Sequence, residues 1–144
     1  MIYLGADHQG FELKEKIKLF LKEQNLEFAD CGALGYNQDD DYPDFAKAVC
    51  QKTVGTGHAL SNLGILICAT GIGMSIAANK YENIRAALCC NQEMAKQARE
   101  HNNANILCLN KNSDYKNIIK AFCQSKFTKE KRHIRRLKKL KIKN

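Results

Sequence analysis

The chain has 144 residues and is 44% hydrophobic, enough to bury a sizeable core in a single domain expected to span residues 1–144. No apolar run approaches the ~20 residues that a membrane-spanning helix needs, which leaves a water-soluble class. The formal net charge of +8 is concentrated at one end: residues 126–144 carry ten Lys or Arg and one acid, Glu130, whereas the preceding 125 residues hold thirteen bases and fourteen acids.

The opening stretch, Met1 to Gly5, lacks a basic segment followed by a long apolar one. It reads as the start of a strand over Ile2–Ala6 and not as a signal peptide. Asp7 and His8 follow that strand directly. Phe11, Leu13, Ile17, Phe20 and Leu21 recur at helical spacing and predict a helix over roughly residues 10 to 24. Leu26–Asp30 reads as a second strand, and Gly32–Asp41 as a polar loop. Asp39, Asp40 and Asp41 in that loop are expected to cap the next helix; no ligand spacing around them supports a metal. Pro43 suits the first turn of that helix, and Ala46, Val49 and Cys50 give it an apolar face. His58, in a Gly-rich polar loop, reads as surface.

Leu63–Cys68 is an almost unbroken apolar strand, the pattern of the centre of a parallel sheet. A short helix over Gly73–Asn79, a strand over Ile84–Cys90, a helix over Gln92–His101 and a strand over Ile106–Leu109 complete the alternation. A helix beginning at Tyr115–Phe122 and a basic helix from about Lys129 follow. Five strands alternating with helices predict an α/β fold, a right-handed doubly wound parallel sheet. Such sheets bind ligands beyond the carboxyl ends of their strands. On that rule Asp7, His8, Cys68, Thr70 and the loop near His101 are expected on one edge.

The seven cysteines (Cys31, Cys50, Cys68, Cys89, Cys90, Cys108 and Cys123) form no CxxC pair. Zinc and redox motifs are therefore poorly supported, and reduced thiols in a cytoplasmic protein are the simpler account. Nucleotide motifs fail as well. Gly71 and Gly73 begin a GxGxxG pattern that ends on Ile76. Gly5 and Gly10 have P-loop spacing, but Phe11 and Glu12 replace its Lys and Ser/Thr.

The segment GILICATGIGMS, residues 64–75, carries the sharper signal. A buried strand ends on Cys68 and passes through Thr70, Gly71 and Gly73 into a helix. Glycines expose backbone amides there, and a helix start adds partial positive charge. Amides from Gly71 to Ser75 can stabilise an oxyanion. The same field favours a thiolate, so Cys68 is either a base or nucleophile or an inert core thiol. Thr70 is a functional group of the same turn or a turn cap. His101, with Asn102, either caps a helix or serves as a general acid. Arg132 and Arg136, four apart on one helix face, suit a phosphate or simply solvate that face.

Taken together, GADHQGFELK at 5–14, DYPDFA at 41–46, GILICATGIGMSIAANK at 64–80, IRAALC at 84–89, REHNNANIL at 99–107 and KRHIRRL at 131–137 resemble the ribose-5-phosphate isomerase B family. The wider superfamily includes galactose-6-phosphate isomerase subunits. The resemblance implies a Rossmann-like three-layer α/β/α sandwich, assembled as a homodimer or a dimer of dimers, with sites between subunits. It implies interconversion of ribose 5-phosphate and ribulose 5-phosphate without metal or organic cofactor. Cys68 matches the proton-abstracting base, Thr70 the hydroxyl that moves protons between sugar oxygens, and His101 the position linked to ring opening. Asp7 and Asn102 would hold sugar hydroxyls or the ring oxygen. His8, Arg132 and Arg136 would hold the phosphate, Gly71 and Gly73 would form the anion hole, and Tyr42 would line the cleft.

Two departures stand out. Ala69 occupies a position where glycine is common, which is acceptable where φ is negative. Asn110-Lys111-Asn112 replaces a segment that often carries a phosphate-binding arginine, and Lys111 is the substitute at hand. Three alternatives remain: a six-carbon sugar phosphate as substrate, a non-catalytic sugar-phosphate sensor, and a nucleic-acid-binding protein using its basic terminal helix. The last predicts salt-sensitive binding, but it gives no reason for Cys68, Thr70, Asp7-His8 and His101 to lie on one edge, as expected here.

Overall fold

The computed structural model describes residues 1–54 and 62–140; His58 lies outside them. Five strands form one parallel sheet: β1 (Ile2–Ala6), β2 (Phe28–Asp30), β3 (Leu63–Cys68), β4 (Ala86–Leu88) and β5 (Ile106–Asn110). They lie in the order β2-β1-β3-β5-β4. Among the described residues six helices accompany them: α1 (Phe11–Glu23), α2 (Tyr42–Val54), α3 (Ile72–Ala78), α4 (Gln92–Asn102), α5 (Tyr115–Gln124) and α6 (Lys131–Lys139).

β3 is central, and all six of its residues are buried. That is why its sequence shows no alternation: both faces of a central parallel strand are covered. Ile65 and Ile67 pack with Leu4, Leu107 and Leu109 against the apolar faces of α1, α4 and α5. Leu66 packs with Ile106 and Cys108 against α2 and α3. The doubly wound reading therefore holds. Each Leu- or Ile-sized side chain buried in these layers contributes about 1.5–3 kcal/mol.

β2 and β4 are shorter than their sequences predict. The Leu26 amide closes the turn after α1 by donating to the Leu21 carbonyl at 2.9 Å, so the β2 ladder starts only at Phe28. At β4 the Arg85 amide goes to the Asn105 side chain at 2.8 Å. β4 is an edge strand, and Asn79 covers its open side: the side-chain oxygen accepts from the Ala86 amide and the side-chain nitrogen donates to the Ala86 carbonyl, each at 2.9 Å.

New strands are added to one side of β1 and then to the other side of β3. The chain therefore reverses direction between these neighbours, and a crevice opens beyond their carboxyl ends. Asp7-His8 leaves β1 there, and Cys68 to Thr70 leaves β3.

Candidate active site

Close backbone contact holds the two strand ends together. The Asp7 amide donates to the Ile67 carbonyl at 3.3 Å, and Gly10 sits so near that carbonyl that any side chain would collide with it. The Asp7 carboxylate accepts the Gly10 amide at 2.9 Å and is 6% exposed. Burial pushes its carboxyl above the ordinary range, against the pull of the Gly10 amide and of His8.

At the end of β3 the Gly71 amide donates to the Cys68 sulfur at 3.1 Å. Cys68 is 5% exposed and packs in the same core layer as Cys50 and Cys108, and the amide contact is what distinguishes it. The Cys50 and Cys89 sulfurs act instead as weak donors, to the Ala78 and Ala87 carbonyls at 3.9 and 3.7 Å. Burial pushes both of those thiols up to about 12 and Cys123 to about 11, so they stay protonated and inert. The Cys68 sulfur instead accepts a hydrogen bond. Gly71 reaches this geometry with φ +78°, where a methyl group would strike the Leu88 side chain.

The expected cradle from Gly71 to Ser75 is narrower in the structure. The Gly71 amide serves the sulfur, and the Ile72 amide donates to the Thr70 hydroxyl at 3.3 Å. The Ser75 amide is spent on the Gly71 carbonyl at 3.1 Å as α3 closes its first turn. The amides of Gly73 and Met74 have no protein acceptor among the described residues. Met74 was not legible as a site residue, because its buried side chain marks it as core. Tyr42 stands over this turn, close enough that a methyl group on Gly73 would meet its ring at 2.9 Å. Ala69 does not have a positive φ, so its methyl group is accommodated.

His8 lines a cleft of about 410 Å³ with Gln9, Tyr36, Lys111 and Asn112. Its ring meets Tyr36 edge to face, with centroids 6.1 Å apart. Lys111 reaches the same cleft, donating to the Gln9 side chain at 2.8 Å. Asp40, which the sequence suggests only as a helix cap, accepts from both the His8 amide and the His8 ring.

The expectation that His101 shares this edge is corrected. α4 starts after the carboxyl end of β4 and runs back, so His101 and Asn102 sit at the amino edge, just before β5. There the Asn105 carbonyl accepts from the Gly64 amide near the start of β3 at 2.8 Å. An 11-residue helix puts its two ends ~16 Å apart. Arg132 and Arg136 belong to the His101 group, because α6 packs on the end of α4. The His133 ring stacks on His101 at 4.5 Å with 12° between planes. Burial, with the nearby His101, holds the His133 imidazole below its usual range. Arg132 and Arg136 are both exposed, and Arg132 donates to Glu130 at 2.8 Å. The candidate residues of one chain therefore fall into two groups: Asp7, His8, Tyr42, Cys68, Thr70, Gly71 and Gly73 at one edge, and His101, Asn102, Arg132 and Arg136 at the other.

A doubly wound sheet whose switch point offers a thiol, free amides and a polar cleft lined by His8 and Lys111 defines a class of proteins that bind small ligands at that crevice. Within that class the chain belongs to the ribose/galactose isomerase family, whose model matches residues 2–140. It is 41% identical over 140 residues to ribose-5-phosphate isomerase B of Mycobacterium tuberculosis, covering 94% of this chain and 85% of that protein. It superposes on the ribose 5-phosphate isomerase of Thermotoga maritima with a TM-score of 0.88 at 43% identity, covering 96% and 95% of the two chains. Ribose-5-phosphate isomerase B of Mycoplasma genitalium, solved with bound ribulose 5-phosphate, gives 0.86 at 37% identity over 96% and 92%.

Proposed function

We propose that this protein interconverts ribose 5-phosphate and ribulose 5-phosphate, with Cys68 as the carbon acid's base. The observation that carries the assignment is the Cys68 sulfur held by the Gly71 amide beside two unclaimed amides, in a chain of this family. The Cys68 thiolate takes the C2 proton of the open-chain aldose, giving a cis-enediolate. The Gly73 and Met74 amides meet the charge that develops on oxygen; one such donor is typically worth ~3 kcal/mol. Thr70 passes the O2 proton to O1, and the Cys68 thiol returns its proton to C1. The ketose is formed and the thiolate regenerated.

Ring opening and phosphate capture need the second half-site. We assign these steps to His101, Asn102, Arg132 and Arg136 of another copy of the chain, placed across the crevice from Asp7, His8 and Lys111. The separation of the half-sites within one chain supports this arrangement. Asp7 and Asn102 hold sugar hydroxyls, and the cationic groups hold the phosphate and fix C2 beside the sulfur. A homodimer is the smallest assembly with complete sites. Reduced thiols fit a cytoplasmic setting.

The test is an isomerase assay on ribose 5-phosphate, allose 6-phosphate and galactose 6-phosphate after exhaustive chelation. Cys68→Ala is expected to abolish exchange of the C2 proton with solvent while ribose 5-phosphate still binds. Exchange at the wild-type rate in that variant overturns the assignment of the base. A higher kcat/KM on either six-carbon sugar overturns the substrate. The family's description covers galactose as well as ribose isomerases, which is why the six-carbon arms are included.

A further inference from the structure

We infer that Asp40 is a positioning residue for the phosphate subsite: it fixes the tautomer and orientation of His8 so that Nε2 is presented to the cleft. This rests on the proposed role of His8 as a phosphate ligand. The geometry itself is independent of that role.

One oxygen of Asp40 accepts two donors from the same residue, the His8 amide at 3.0 Å and the His8 ring Nδ1 at 2.7 Å. The amide contact fixes the carboxylate against the backbone just past β1, and the ring contact then requires the proton on Nδ1. The Asp40 side chain is 8% exposed and that of His8 21%, so solvent has little room to replace either contact. The second Asp40 oxygen is buried and has no partner among the described residues. Burying a carboxylate with one oxygen unpaired is costly, and the contacts to His8 are what hold it there. The edge-on Tyr36 ring packs beside His8. Nε2, across the ring from Asp40, is the nitrogen left for a ligand. A phosphate that enters the cleft meets Nε2, either donating its own P–OH to that nitrogen or accepting from it, while Asp40 keeps Nδ1–H in place. The arrangement follows the general pattern in which a carboxylate orients a histidine that touches the ligand.

The experiment uses the full chain in three variants: Asp40→Ala, Asp40→Asn and His8→Ala. Nitrogen-15 NMR of the histidine rings, without ligand, reads the tautomer. The wild type is expected to show His8 protonated on Nδ1, and Asp40→Ala to shift it toward the Nε2–H form that free histidine prefers. With ribose 5-phosphate, Asp40→Ala is expected to raise KM about tenfold, the worth of a hydrogen bond to a charged group, with a much smaller change in kcat. Asp40→Asn keeps an acceptor for both donors and is expected to retain the tautomer and recover part of the loss. Titration with inorganic phosphate is expected to weaken in parallel.

A wild-type His8 signal in the Nε2–H form overturns the inference. So does an Asp40→Ala variant with unchanged ring signal and unchanged KM. Should Asp40→Ala not fold, the wild-type spectrum and the Asp40→Asn variant decide the question. If His8→Ala binds phosphate as tightly as the wild type, the phosphate role of His8 falls, while the tautomer measurement still stands by itself.

Discussion

Gly73 has no side chain, and Tyr42 uses the space. A methyl group there would meet the ring at 2.9 Å, but Tyr42 is 39% exposed and can swing away. Gly73→Ala is therefore expected to change stability by less than about 1 kcal/mol, within the range of ordinary surface substitutions. The damage falls on catalysis, because the displaced ring and the added methyl group crowd the free Gly73 amide. Loss of that donor is expected to lower kcat about 10²-fold, measured against an unchanged urea midpoint. Gly71→Ala differs: it combines a left-handed φ of +78° with a contact at 2.5 Å to Leu88. Overpacking alone is worth about 1–3 kcal/mol, so this variant is expected to lose stability and activity together. Cys68, Gly71 and Gly73 were legible because an apolar run that ends on a thiol and turns through glycines is an unusual local pattern. Asp40 was not: it stands among three consecutive aspartates, and its partner His8 is 32 residues away.

At the scale of elements, α1 is stapled to β2 through a buried lysine. Lys14 is fully buried, and its ammonium donates to both oxygens of Asp30 and to the Ala33 carbonyl, each at 2.6 Å. Lys18 adds a bond to Asp30 at 2.8 Å. The staple fixes the segment after β2, whose Gly32 carbonyl accepts from the Ala6 amide at 2.9 Å, one residue before Asp7. Lys14→Ala leaves a buried carboxylate short of its main partner and is expected to cost about 3–5 kcal/mol in urea unfolding. Burial alone would raise the Asp30 carboxyl, but Lys14, Lys18 and the Gly32 amide outweigh it and hold it below the usual value of 3.8. A carboxylate depressed in the folded state contributes stability above its unfolded value, and that contribution is lost as pH falls through the folded value. The wild-type urea midpoint is therefore expected to drop between pH 5 and pH 3, and Lys14→Ala to show a shallower drop. The helices were legible from apolar spacing. The ends of β2 and β4 were not, because a turn after α1 and the side chains of Asn79 and Asn105 take over backbone groups that a longer ladder would have used. The lysine was equally hidden, since Lys14 reads as the polar face of α1 until Asp30 is brought beneath it.

For the whole molecule, the decisive feature is that the two groups of candidate site residues lie at opposite edges of the sheet. The direction of α4 was available from the alternation of strands and helices: a helix between two parallel strands must run back to the amino edge. What the sequence alone could not supply was the partner that closes the gap. The proposed sharing of each site between two chains predicts complementation. Cys68→Ala and His101→Ala homodimers are each expected to be inactive. Co-expressed and randomly paired, they should recover about a quarter of the wild-type activity, because half the dimers are mixed and each mixed dimer keeps one intact site of two. No recovery, in a sample shown by native mass spectrometry to contain mixed dimers, would place both residues in the same site of one chain. The close seating of Gly10 on the Ile67 carbonyl has a consequence for engineering this protein. It makes the spacing between the carboxylate and the sulfur a fixed gauge that cannot stretch to follow a longer sugar. In the proposed two-chain site, tolerance for an extra carbon has to come from the arginine helix of the second copy, and that helix is where a redesign of substrate length should begin.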